Sequence, residues 1–211
     1  MSDVKPQRLD YVEQTRQALV DAAERLFAEN GYHRTSLDAV GAAARFTKGA
    51  VYRHFKDKQS LFEAVFIRVQ TDTATTLLTD IPITDDAWQW GLNAIAKYLQ
   101  ACTQTRYRRI VLEEGPAVLG WSKWRELDQQ YAGHLLEQVL TELMNKQVLP
   151  HYPAHLLARL CCALIGEAAL TIADTDTDTT REQTLAILTK LLTGLRGDCR
   201  KDGGSDLGPM S

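Results

Sequence analysis

What this chain lacks narrows its function first. Its four cysteines, Cys102, Cys161, Cys162 and Cys199, show no metal-ligand spacing, so buried reduced thiols in a cytosolic protein are expected and no metal is assigned. The five histidines form no paired metal motif. There is no phosphate-cradling glycine loop and no nucleophile elbow. No catalytic set therefore emerges, an enzyme is not the favoured reading, and no cofactor is expected. The acidic run DTDTDTT lacks the glycine turn and terminal glutamate of a calcium loop. The N-terminal MSDVKPQRLDYVEQ has no apolar run, so no signal peptide is expected. No stretch approaches roughly 20 uninterrupted apolar residues, so no membrane span is expected either. Sustained alternation of period two is also missing, which excludes a sheet-built core and leaves an all-α chain.

What is present is an ordinary globular composition, 45% hydrophobic and 24% charged, organised around one stretch, TSLDAVGAAARFTKGAVYRHFKDK, from Thr35 to Lys58. Thr35, Ser36 and Asp38 open a short helix in the manner of a capping box. Leu37, Val40 and Ala44 mark its apolar face, while Gly41, Ala42 and Ala43 keep it small enough for a second helix to cross closely. That second helix starts near Thr47. It anchors itself through Val51 and Phe55, and presents Lys48, Gly49, Ala50, Tyr52, Arg53 and His54. Between Arg34 and Lys58, six basic residues face two acidic ones, a net +4, in a chain whose formal charge is −3. A positive segment on an acidic protein is a localised footprint for phosphate.

The residue types assign the roles. Thr35, Ser36, the Thr47 hydroxyl, Tyr52, His54 and Lys58 suit the phosphate backbone, which fixes position without reading sequence. Lys48, Ala50 and Arg53 suit base edges in the major groove, and Gly49 lets the helix end approach DNA closely. For Tyr52 the alternative is a ring that braces the helix, with only its hydroxyl touching DNA.

At these residues the chain resembles a known family. GYHRTSLDAVGAAARFTKGAVYRHFKDKQSLFEAV is closely similar to the DNA-binding domain of the tetracycline-repressor (TetR) family of bacterial regulators, and the likeness runs from about Thr15 to Val69. The resemblance implies a three-helix head, an all-helical ligand-binding and dimerisation body, and repression released by a small molecule. One departure stands out. The family carries glycine in the turn between the two helices, and here the turn is Arg45-Phe46. A left-handed non-glycine residue there costs roughly 1–2 kcal/mol.

The remainder divides as follows. Residues 1–60 form the helix-turn-helix domain, with 1–9 as a flexible arm; a disordered tail is the favoured reading of it, and Lys5 and Arg8 reaching a neighbouring groove is the alternative. A first helix carries Leu19, Ala22, Ala23, Leu26 and Phe27, and stops at Asn30-Gly31. Asp57 caps a long helix through Leu61, Phe62, Val65, Phe66 and Val69, which joins head to body. Pro82 marks a break. Residues 61–196 form a helical effector-binding and dimerisation domain, with helices near 85–103, 106–114, 121–147, 154–173 and 181–195. The last of these is capped by Thr180 with Gln183 or Thr179 with Glu182. The run EEGPAVLGWSKWRELDQQY resembles one C-terminal subgroup of the same family. Residues 197–211 are glycine-rich and polar, and are expected to be a disordered tail.

The helices at 154–173 and 181–195 carry apolar stripes broader than one partner helix needs. The resemblance implies that they build a homodimeric four-helix interface; a monomer core is the alternative. The candidate ligand-site residues are Phe66, Trp88, Tyr98, Tyr107, Trp121, Trp124, Tyr131, His134 and Glu167. Aromatic walls with few polar groups are the usual form of a small-molecule site. The favoured reading is a cytoplasmic, ligand-responsive dimeric repressor of double-stranded DNA with no membrane partner. A regulator without an effector and a helical binding protein or enzyme are the alternatives.

Overall fold

Helix α1 (Val4–Arg34) supports two short helices, α2 (Leu37–Ala43) and α3 (Lys48–His54), before the long α4 (Lys58–Asp80) leads into the body. The body follows as α5 (Ala87–Thr103), α6 (Thr105–Tyr107) with a π-helical continuation Arg108–Glu113, α7 (Gly115–Leu119), α8 (Trp121–Asp128), a π-helical Gln129–Gly133, α9 (His134–Asn145), α10 (Ala154–Ala173) and α11 (Asp178–Gly194). The structure is a computed structural model describing residues 4–80, 84–174 and 178–196, and these contain no strand. Pro82, Cys199 and the expected tail at 197–211 lie outside the described residues.

The helices near 85–103, 121–147 and 154–173 fall where the periodicity predicts them. Two local readings change. The arm expected over 1–9 is helical from Val4 onward. The final helix begins at Asp178, so Thr179 and Thr180 lie within it rather than capping it. α10 is 20 residues long and contains an 18-residue window of mean hydropathy 1.8, enough by length and composition alone to cross a membrane. It nonetheless carries Arg159 and Glu167, and it packs on α5, α9 and α11 within the fold.

One core runs from head to body along α4. Leu61, Phe62, Val65, Phe66 and Val69 are fully buried there. Phe27 of α1 and Phe62 meet edge to face at 5.3 Å, with Tyr32 closing the cluster at 5.3 Å from Phe62. Asp57 and Ser60 start α4 reciprocally. Asp57 Oδ1 accepts the Ser60 amide at 2.7 Å, and the Ser60 hydroxyl oxygen accepts the Asp57 amide at 3.2 Å. The Ser60 amide pulls the Asp57 carboxyl below its usual range.

The body also holds α1 by its C-terminal end. Arg109 donates to the carbonyls of Ala28 and Glu29, both at 2.9 Å, just before the bend at Gly31. Glu114 accepts the Tyr32 amide on both carboxylate oxygens, at 3.0 and 2.9 Å. Gly31 makes this possible. Its backbone sits at φ 81°, ψ 167°, and a Cβ there would lie 2.6 Å from Glu114 Oε1. Arg106 bridges Glu24 of α1 and Asp72 of α4, and Arg68 pairs with Asp21.

Candidate nucleic-acid interface and ligand cleft

Two short helices make the head's outer corner, and their packing follows from small residues. A Cβ on Gly41 would lie 3.1 Å from both the Phe46 carbonyl oxygen and Val51 Cγ2, so α2 and α3 cross as closely as the small-residue run implies. The turn keeps its left-handed residue without glycine: Arg45 sits at φ 61°. Its backbone N–H reaches the Ala42 carbonyl at 3.1 Å, and that of Phe46 reaches Gly41 at 2.8 Å. The turn's own hydrogen bonds hold Arg45 in that conformation.

The caps are Ser36 and Thr47. Ser36 Oγ accepts the Ala39 amide at 3.1 Å, and Thr47 Oγ1 accepts the Ala50 amide at 3.3 Å. Each hydroxyl keeps its own proton for an outside acceptor. No carboxylate completes a capping box at α2. Asp38 instead reaches across the turn to Lys48, 2.9 Å away. That neighbour raises the ammonium's pKa, and the Lys48 nitrogen also stands 6.0 Å from the Tyr52 ring.

On α3, Lys48, Gly49, Tyr52 and Arg53 are exposed, Ala50 and His54 are half-buried, and Val51 is the buried anchor. Two residues depart from the expected surface. Thr35 is buried, and its hydroxyl donates to the carbonyls of Gly31 at 2.8 Å and Leu26 at 3.2 Å, so it stitches α1 to α2 rather than facing outward. Lys58 folds back. Its ammonium donates to the Tyr32 carbonyl at 2.8 Å and sits 4.1 Å over the Tyr32 ring, a charge spent inside the head.

In the body a cleft of about 440 Å³ opens between α5, α7, α8 and α10. Four candidate residues line it: Tyr98, Trp121, Trp124 and Glu167. Trp121 and Trp124 stack at 4.9 Å, Arg125 lies 4.8 Å over Trp121, and Trp124 donates to the Val111 carbonyl at 2.8 Å. Trp121 is 58% exposed, so half of this aromatic wall faces water.

The other five candidates do not line the cleft. Phe66 is core, Trp88 receives the Arg196 guanidinium at 5.1 Å, Tyr131 packs against the core, and His134 is exposed beside Gln138. Tyr107 lies one step behind, in a buried polar chain. Tyr98 and Tyr107 hydroxyls meet at 3.2 Å, Tyr107 donates to Gln70 Oε1 at 2.9 Å, and Gln70 donates to Asp128 Oδ1 at 3.1 Å. Burial raises both tyrosine pKa values and pushes Asp128 up to about 6. Cys161 and Cys162 are buried with Cys102, and burial raises all three thiols.

Gln70, Asp128, Arg125 and Arg159 are not among the residues that composition and spacing single out. Gln70 carried a signal, being a lone polar residue on the apolar side of α4. Asp128 carried none among the many carboxylates of a helical body.

The model described as "Bacterial regulatory proteins, tetR family" matches residues 19–65, and "Tetracyclin repressor-like, C-terminal domain" matches residues 88–195. The chain is 28% identical over 148 residues to the Transposon Tn10 TetC protein of Escherichia coli, covering 69% of this chain and 74% of that protein. It is 46% identical over 54 residues to the HTH-type transcriptional regulator AcrR of Shigella flexneri, 26% of this chain and 25% of AcrR. Among solved structures, a TetR-family regulator from Pectobacterium atrosepticum superposes with a TM-score of 0.73 at 29% identity, covering 88% of this chain and 96% of that one. FadR from Bacillus subtilis, solved with stearoyl-CoA, shares the fold at 20% identity and a TM-score of 0.67, over 84% of this chain and 98% of FadR. RolR, solved with resorcinol, shares it at 16% identity and 0.68, over 87% and 89%.

Proposed function

The chain belongs to the tetracycline-repressor family of DNA-binding transcriptional regulators, and on that premise we propose a homodimeric repressor, released from a pseudo-palindromic operator by a small apolar or aromatic effector. The observation that carries this reading is the two-sidedness of α3: Val51 anchors it, and Lys48, Gly49, Tyr52 and Arg53 stand in solvent on the other side. Lys48, Ala50 and Arg53 read base edges. Ser36, Thr47, Tyr52 and His54 hold phosphates, the two cap hydroxyls through the protons they retain. Freeing Lys48 from Asp38 costs little, since both side chains are exposed and water and salt screen the pair. Lys58 braces the head.

The dimer forms through α10 and α11. Leu156, Leu160, Ile187 and Leu191 are 45%, 66%, 61% and 53% exposed, and Leu185 is 37% exposed. Covering such a side chain fully contributes roughly 1.5–3 kcal/mol. The exposed apolar surface of this chain thus concentrates where a four-helix interface would bury it. Two copies would set their α3 helices about one helical turn, ~34–36 Å, or slightly more apart on DNA.

The effector site is the Trp121–Trp124 cleft, a cavity of about 440 Å³ with a stacked aromatic wall. Gln70 links the cleft's Asp128 to α4, the helix that carries the head. An effector releases DNA only by binding better to an arrangement of α4 that does not fit the operator. Coupling of ~1–3 kcal/mol would weaken operator binding about 5–150-fold. The reading goes with a cytoplasmic location.

Gel shifts on the region upstream of the chain's own gene test this function. The intact palindrome should bind far more tightly than either half-site, and equal affinity for an isolated half-site would overturn the dimeric reading.

A further inference from the structure

The cleft contains a charge that the protein itself leaves unanswered. Asp128 ends α8 on the cleft wall, a half-buried residue whose carboxyl group is largely surrounded by protein. Among the described residues its carboxylate receives one hydrogen bond, from the Gln70 side-chain amide at 3.1 Å, and no ion pair reaches it. The Gln70 amide is itself fixed by Tyr107, which donates to its carbonyl oxygen. Burying a carboxylate without a cation is costly, and packed interiors normally pair or neutralise such groups. Among the described residues the second carboxylate oxygen has no protein donor, and it is open to the cleft rather than sealed in the core. The stacked Trp121–Trp124 pair lines the same cavity, offering aromatic faces that attract positive charge.

Taking the cleft as the effector site, we propose that it selects a flat aromatic cation, its rings against Trp121 and Trp124 and its positive nitrogen at the Asp128 carboxylate. Arg125, Arg159 and Glu167 also line the cleft, but all three side chains are exposed. Water and salt screen charges in that position, while a group shielded from water interacts several-fold more strongly at equal distance. The ligand's rings replace the Arg125 guanidinium, which sits 4.8 Å over Trp121, and this exposed side chain swings out to water as the cation enters. Asp128 therefore sets the sign of charge that the site prefers. Burial raises its pKa to about 6, which still leaves it mostly ionised at neutral pH. The resulting interaction joins an aromatic stacking surface to a desolvated ion pair, a combination that neither a neutral hydrocarbon nor an organic anion can use.

Calorimetric titration of the full chain at neutral pH, without DNA, tests this with three probes sharing one ring system: 9-aminoacridine (a cation), acridine (neutral) and acridine-9-carboxylate (an anion). A charge-assisted contact predicts that 9-aminoacridine binds roughly 10–100-fold more tightly than the other two. Asp128→Asn should reduce its affinity to that of acridine while leaving acridine itself within about threefold, with circular dichroism confirming the fold. If the carboxylate bound as tightly as the amine, if all three agreed within about threefold, or if 9-aminoacridine failed to saturate the protein, the proposal would be overturned. So would an Asp128→Asn protein that kept the preference. The titration contains no DNA and so tests the cleft alone; a separate gel shift in which saturating 9-aminoacridine left operator binding unchanged would overturn the release reading and not the cleft's selectivity.

Discussion

The head and the body solve the same problem, how to present polar groups for a partner, in opposite ways. In the head the groups are exposed, and neighbours in sequence fix them: Ser36 with Ala39, Thr47 with Ala50, Asp57 with Ser60. In the body they are buried and come from separate helices. Gln70, Tyr98, Tyr107 and Asp128 belong to α4, α5, α6 and α8. A site of the first kind tolerates change elsewhere in the chain, because each contact closes within one turn. One of the second kind depends on the packing of every helix that contributes to it, and it also connects those helices.

That division breaks most sharply at Gly31, where the body's Glu114 holds the end of α1. Gly31→Ala places a Cβ against the Glu114 carboxylate in a backbone conformation that only glycine adopts readily. Strain of about 1–3 kcal/mol and loss of the Glu114 contact to the Tyr32 amide should together cost ~2–4 kcal/mol. Thermal melting checks this, with Tm expected to fall by roughly 6–12 °C for a chain of this size. An unchanged Tm would mean that the head does not rest on this contact.

A second test sharpens the contrast from the body's side. Asp128 has its folded-state pKa raised from 3.8 to about 6, so between these values the folded chain holds a proton that the unfolded chain has lost. Stability from this group is full below about pH 4 and declines as pH rises through 6, by up to ~3 kcal/mol. The groups facing it are Gln70, Tyr98, Tyr107, Cys102 and Cys162, and burial raises the pKa values of these tyrosines and thiols so that they stay neutral over that range. Asp128→Asn keeps an acceptor for Gln70 and removes the charge. It should be more stable than the parent at neutral pH, with the difference vanishing near pH 4. Denaturant unfolding across that range measures it, and a variant less stable at neutral pH would contradict the placement. A carboxylate that weakens the fold and lines an open cleft fits a group kept for a ligand.

The smallest effect lies in the head. Arg45→Gly should relieve the left-handed strain at φ 61° and stabilise by about 0.5–1 kcal/mol, after the extra unfolded-state freedom of glycine is counted. Denaturant melts resolve a change of that size. Destabilisation would mean that the arginine side chain holds the turn by contacts of its own.

What could be read from the residues alone follows the same line. The helices, the crossing of α2 and α3, the exposed Lys48, Tyr52 and Arg53, and the apolar excess of the last two helices all rest on periods and spacings within a few residues. Helical geometry converts those into positions directly. The sequence reading placed Thr35 and Lys58 on the outer surface for the same reason, since both stand beside the motif. Only the packed structure shows their partners to be Gly31 and Tyr32, reached through a bend that glycine permits. The aromatic content of the body was plain, yet spacing could not say which of nine candidates share a wall. Trp121, Trp124, Tyr98 and Glu167 do, because α5, α8 and α10 meet there. Asp128 becomes distinctive only when the fold surrounds its carboxyl group with protein and, among the described residues, pairs it with no cation. Local chemistry thus determined the elements and the exposed face of α3. The desolvation that makes a carboxylate selective depends on residues far away in the chain, so tertiary packing alone decided it.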